Sequence, residues 1–192
     1  MIDRRIILKL GGAGVMGAIL DLPGQRFHAT SVSSHDSRRR AVFDERFEDS
    51  LAFAGELNRL GVVASGIRGD VAELWYEDLR SHLREGPAPI VGLTDRTALF
   101  CLEELVRDVG LKVFFRVDHL IDRNGHVLHR GVGPASLVEA VRSLAPRPGF
   151  GQIMARLASH VDLDETGDTA AVKRTGPHSP AGRTALVSWV IA

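Results

Sequence analysis

Two short clusters in this chain carry residue types suited to holding an anion: Arg68-Gly69-Asp70 and Thr94-Asp95-Arg96. Each follows an apolar run with strand character, Val62 to Ile67 and Ala88 to Leu93, and each precedes a segment with helical spacing. In open α/β sheets ligands gather beyond the carboxyl ends of the parallel strands, where loops meet helix N-termini. Guanidinium groups at Arg68 and Arg96, the Thr94 hydroxyl and two sets of helix N–H groups would favour a carboxylate or phosphate there. Asp70, Thr94 and Asp95 also have the form of ordinary N-caps, and the carboxylates oppose an anion. Structural capping is therefore the first reading of Arg68, Asp70, Thr94 and Arg96 together, and ligand binding the second.

Other catalytic chemistry finds less support. There is no Gly-x-Gly-x-x-Gly after a strand, no phosphate-binding Gly-x-x-x-x-Gly-Lys-[Ser/Thr] and no Gly-x-Ser-x-Gly. Cys101 falls beside core positions of an expected helix, where a packed thiol is favoured over a nucleophile. His119, His126 and His129, with Asp118, lie on or beside an expected hairpin and could approach a cation. His126 and His129 differ by three, however, so a regular strand sends them to opposite faces, and scattered surface histidines are the preferred reading.

The elements that must position these residues alternate between strand and helix. Ala41 to Phe43 is expected as a first strand, ending at Asp44-Glu45, and Phe47, Leu51, Ala54 and Leu57 follow at helical spacing up to Gly61. After the second strand, Asp70 with Glu73 forms an acidic capping box. Val71, Leu74, Trp75, Leu79 and Leu83 make the buried stripe of the next helix. Ala98, Leu102, Leu105 and Val109 line a helix between the third strand and a fourth at Leu111 to Val117. Asn124-Gly125 predicts a hairpin to an antiparallel strand at His126 to Arg130. Further helices are expected from Pro134 and over Ile153 to Leu157, a loop over Asp162 to Arg183, and a C-terminal strand over Thr184 to Ile191. The expected fold is α/β: a three-layer sandwich on a mostly parallel sheet of about four parallel strands, plus the hairpin strand and the C-terminal strand.

The chain has 192 residues with 24 basic and 24 acidic side chains, and neutrality removes the case for nucleic-acid binding through surplus charge. The charge is unevenly placed: residues 1 to 40 hold seven basic residues against three acidic. Arg4-Arg5 is followed by Ile6-Ile7-Leu8-Lys9 and then by uncharged, Gly-rich residues up to Leu20, far short of the roughly 20 apolar residues a helix needs to cross a bilayer. This segment resembles the twin-arginine export signal, matching its arginine pair, apolar pair and lysine while placing Asp3 and Ile7 where Ser or Thr and Phe are usual. The resemblance implies passage of the folded protein to the periplasm, the translocation machinery as a partner, and membrane contact only through this segment. Cleavage near Ala29 and retention as an anchor are both left open.

The expected organisation is a signal segment at 1–29, a polar linker at 30–40 in which Arg38 to Arg40 is a solvated run, and one α/β domain at 41–192. The body, through Phe43-Asp44-Glu45-Arg46, Arg68-Gly69-Asp70-Val71, Leu74-Trp75-Tyr76 and Leu99-Phe100-Cys101-Leu102-Glu103, resembles proteobacterial proteins of unknown function that carry a twin-arginine signal. A single cysteine is incompatible with c-type haem and with cysteine-ligated iron–sulfur clusters, so no cofactor is expected. These readings lead to an exported accessory or interaction protein, with a periplasmic protein as its partner. The alternative is a small periplasmic enzyme or binding protein for an anionic ligand.

Overall fold

Short runs rich in β-branched and aromatic residues become the strands of one seven-stranded mixed sheet. The strands are β1 (Arg40–Asp44), β2 (Val63–Ile67), β3 (Ile90–Asp95), β4 (Val113–Ile121), β5 (Val127–Pro134), β6 (Thr169–Ala171) and β7 (Thr184–Ile191), in the order β2-β1-β3-β7-β4-β5-β6. The helices are α1 (Glu48–Arg59), α2 (Ala72–Leu74), a π-helical turn (Trp75–Leu79), α3 (Arg80–Arg84), α4 (Arg96–Arg107), α5 (Ala135–Arg142) and α6 (Gly151–Ser159). The computed structural model describes residues 38–161, 169–171 and 184–192. The expected signal at 1–29, with Arg4, Arg5 and Lys9, and residues 30–37 of the expected linker lie outside the described residues.

The α/β class is as the sequence indicates, but the strand pairing differs from expectation. Among the described residues only β1–β2 and β1–β3 pair in parallel. β7 stands between β3 and β4 and is antiparallel to both. Burial explains its position: from Leu186 to Ile191 every residue is buried, and a strand buried on both faces belongs inside a sheet rather than at its edge. Thr169–Ala171, expected as loop, pairs instead with the end of β5 as the outermost strand, β6. The Asn124-Gly125 hairpin is present, though its turn is wider than two residues. Asp122 Oδ1 accepts from the backbone N–H groups of Asn124 and His126, at 2.8 and 2.9 Å, and Gly125 takes φ +78°.

Alternating side chains feed two apolar clusters. Ala41, Val91, Leu93, Phe115, Val117, Leu186 and Val190 pack with Phe53 and Leu57 of α1, Val138 and Val141 of α5, and Met154 of α6. Val42, Ile90, Val187, Trp189 and Ile191 pack with Val71, Trp75, Leu79 and Leu83, and with Ala98, Leu99, Leu102 and Val106 of α4. The Trp189 indole lies against Gly92, where any Cβ would overlap it, and donates to Thr94 Oγ1 at 3.0 Å.

The π-helical turn follows from the stripe that it carries. Val71, Trp75, Leu79 and Leu83 are all buried and recur every four residues, a spacing that drifts about 40° per step around a helix of 3.6 residues per turn. One wider turn in the middle of the series offsets that drift, and π-bulges of this kind are single-turn insertions in otherwise α-helical segments.

Arg38 to Arg40 is not a solvated run. Arg38 Nη2 donates to the carbonyls of His82 and Gly86 at 2.8 and 3.2 Å, closing the C-terminal end of α3, and His82 Nε2 meets the Arg38 carbonyl at 2.7 Å. Arg39, buried, donates to the Ala158 carbonyl in the last turn of α6, and Arg40 begins β1. Helix C-termini present unpaired carbonyls and a partial negative charge, so guanidinium groups suit both places.

Candidate functional site

β1 is flanked by β2 on one side and β3 on the other, so the chain reverses its winding direction between β1 and β3, the place where open α/β sheets form a crevice beyond the strand ends. β1 delivers Asp44 there with its carboxylate fully buried. Arg46 binds it through two nitrogens, Nε to Oδ1 at 2.8 Å and Nη2 to Oδ2 at 2.5 Å, and the Arg46 backbone N–H adds a third bond to Oδ1 at 3.1 Å. Nη2 also reaches Asp95 Oδ2 at 2.6 Å. Asp95 meanwhile caps α4, its Oδ1 accepting from the Ala98 N–H at 2.8 Å.

One guanidinium therefore spans the crevice. The hydrogen bonds it donates to Asp44 first, and then to Asp95, hold its charge more firmly than an ordinary arginine's. Phe47 lies under the guanidinium at 5.3 Å, and Gly69, at φ +88°, leaves room for it: a Cβ there would stand 2.8 Å from Nη2. Below the surface, Ser50 Oγ accepts from the Asp44 N–H at 2.7 Å and donates to the Leu93 carbonyl, tying α1 to both strands.

The four residues singled out from sequence do stand at this end of the sheet, each with its own partner. Arg68 Nε pairs with Glu45 at 2.9 Å and is 81% exposed. Asp70 Oδ1 accepts from the Ala72 N–H at 2.8 Å and so serves as a cap. Thr94 is buried; its hydroxyl takes the Trp189 indole N–H and faces no solvent. Arg96 Nη2 pairs with Asp118 Oδ1 at 3.1 Å, an acceptor shared with Arg116 at 2.9 Å. Four arginines (46, 68, 96 and 116) thus meet four carboxylates (44, 45, 95 and 118). The centre of the arrangement, Asp44 with Arg46, was not among the residues singled out, although Asp-x-Arg directly after a strand is a readable signal.

The histidines behave differently from expectation. His119 and His129 are register partners across β4 and β5, both buried, with their Nδ1 atoms 2.7 Å apart. His119 Nε2 meets Ser188 Oγ at 2.8 Å, and His129 Nε2 meets the Ala145 carbonyl at 3.1 Å. His126 stands in the turn, 3.4 Å from Asp122. The face argument from sequence compared His126 with His129, but His126 precedes the strand. Among the described residues no group of three or more His, Cys, Asp or Glu could hold a metal ion. Cys101 is half-buried, packed against the cluster that contains Trp189.

Elsewhere, an open groove of about 390 Å³ runs between the π-helical turn with α3 and the end of α4. It is lined by Trp75, Tyr76, Arg80, Arg84, Leu105 and Asp108, among others, and Tyr76 is 66% exposed. Among the described residues no helix is long and apolar enough to cross a membrane. Comparison with protein-family models, with curated proteins and with solved structures finds no match to this chain.

Proposed function

We propose that this protein is an exported accessory or interaction protein without catalytic chemistry of its own. The observation that carries the reading is Arg46, whose guanidinium, fixed by Asp44 and Asp95, occupies the strand-end crevice where a ligand would otherwise bind. An anion entering there would have to displace the Asp44 or Asp95 carboxylate from the Arg46 guanidinium. The same reading takes the two apolar clusters as the two covered faces of one sheet, a three-layer sandwich, and places the protein's dealings with others on its exterior.

Export through the twin-arginine machinery, with the periplasm as destination, rests on Arg4, Arg5 and Lys9 and the short Gly-rich apolar stretch that follows. Replacing Arg4 and Arg5 by Lys should retain the protein in the cytoplasm; periplasmic recovery undiminished by that change contradicts the proposal. Crosslinking in the periplasm, followed by purification, should return a protein partner in fixed stoichiometry. Recovery of the monomer alone, with an anionic metabolite bound, would favour the second reading, an anion site on the exposed Arg68 and Arg96 guanidinium groups beside Arg46.

A further inference from the structure

The helices over the second apolar cluster have an outer side that the strand-end site does not use. Tyr76, Arg80 and Arg84 each come one residue after a buried member of the stripe, Trp75, Leu79 and Leu83, and all three are exposed. The wider π turn that keeps the buried series in line keeps these three in line as well, along the side of the helix that faces α4. They form one wall of the groove of about 390 Å³, and Leu105, Asp108 and Val109 form the other. The groove carries two positive charges against one negative. Arg80 stands 6.0 Å from the centre of the Tyr76 ring, and among the described residues neither Arg80 nor Arg84 pairs with a carboxylate.

The outer face of α4 has the opposite character. Phe100 is 59% exposed in the middle of the helix, and Glu103 and Glu104 follow it by three and four residues, so both stand one turn along from its ring. Glu104 meets Arg107 at 2.6 Å, an exposed pair of the kind that contributes little and exchanges partners freely. Phe100 precedes Leu105 by about 8 Å of helix rise, so the aromatic knob and the groove share one surface.

Tyr76 and Phe100 are the two most exposed large apolar side chains among the described residues, and both fall on this layer. Apolar side chains exposed singly are ordinary. Two of them beside a groove with arginines on its wall have the composition of an interface centre, where aromatic residues and arginine are enriched.

We propose that this helical layer is the contact face of a symmetric dimer of the chain. Phe100 of each copy enters the groove of the other, and Glu103 and Glu104 meet Arg80 and Arg84 across the interface. A two-fold dimer requires a patch complementary to itself, and here the acidic-flanked knob and the basic groove lie on the same surface. Another acidic protein would account for the groove alone, whereas a second copy accounts for the groove and for Phe100 with its two carboxylates. The dimer uses neither the export signal nor the strand-end crevice, and it stands whether or not a further protein binds.

Sedimentation velocity of the full chain between about 1 and 100 μM, a range that brackets a micromolar Kd, tests this. The wild type should show a monomer–dimer equilibrium, weakened about thirtyfold or more in Phe100→Ala by loss of the central anchor. A chain with Arg80→Glu and Arg84→Glu should be monomeric, because its groove repels Glu103 and Glu104. A chain with Glu103→Arg and Glu104→Arg should be monomeric for the converse reason. An equal mixture of these two double variants should form a heterodimer, since each groove then faces a knob of opposite charge. A wild type that stays monomeric over that range overturns the proposal and leaves the groove to a different, acidic partner. A dimer unmoved by Phe100→Ala, or double variants that remain monomeric when mixed, also overturns it, because the contact then lies elsewhere or the losses reflect a damaged fold.

Discussion

Arg39 donates from Nη1 to the carbonyl oxygen of Ala158 at 2.7 Å, joining the residue before β1 to the last turn of α6 across 119 positions of sequence. The bond is buried and charge-assisted, and it meets the negative end of a helix. Arg39→Ala should therefore cost about 1.5–3 kcal/mol, read as a lower urea midpoint at unchanged slope, and Arg39→Lys should recover part of it. An unchanged midpoint in Arg39→Ala would show that the bond adds nothing to stability.

Arg46 differs from the other strand-end arginines because of what it leaves behind. Arg46→Ala strands the fully buried Asp44 carboxylate, and breaking a buried pair from one side costs about 3–5 kcal/mol. The lower end applies here, because Arg46 is 44% exposed and water screens part of the interaction. Arg68→Ala, at a highly exposed ion pair, should leave the urea midpoint where it is. Equal losses in the two variants would remove the special role of the crevice.

Gly92 and Trp189 form a matched pair. Gly92→Ala drives a methyl group into the indole, and overpacking of this kind costs about 1–3 kcal/mol or more. Trp189→Phe shortens the ring but leaves Thr94 Oγ1 without its indole donor. A double-mutant cycle should show the two changes costing less together than the sum of each alone, measured by denaturant unfolding. Simple additivity would mean that the indole does not set the requirement for glycine.

Overall stability should carry the signature of buried neutral histidine. A histidine whose folded pKa is depressed binds fewer protons in the folded than in the unfolded state. Its contribution is thus fully present above about pH 6.5 and is lost as pH falls below that value. Urea unfolding should give a plateau above pH 7 and a decline of about 1.4 kcal/mol per pH unit for each such proton below 6.5. His119→Gln should shallow that decline, and a wild type equally stable at pH 5.5 and 7.5 would contradict it.

What could be read from sequence was local. The strand before Thr94, the cap on α4, which Asp95 supplies, and the C-terminal strand needed only neighbouring residues, and so did the 71-75-79-83 stripe, though not the π turn that it requires. The insertion of β7 between β3 and β4 is a long-range choice, set by which strand can be buried on both faces. Long side chains were the other blind spot. Arg38, Arg39 and Arg46 are ordinary surface residues by type, and only the fold brings His82, Ala158 and Asp95 within their reach. His119 and His129 were singled out, yet their opposition depends on the β4–β5 register rather than on spacing along the chain.

The central claim is that Arg46 already fills the crevice, and a thermal melt in the presence of inorganic phosphate, nucleotides and small carboxylates tests it most directly. A ligand at 100 times its Kd adds about 2.7 kcal/mol, which in a domain of this size raises Tm by roughly 5–10 °C. The account predicts no shift with any of them. A shift of that size, abolished by Arg68→Ala or Arg96→Ala, would contradict it and make the strand ends a ligand site.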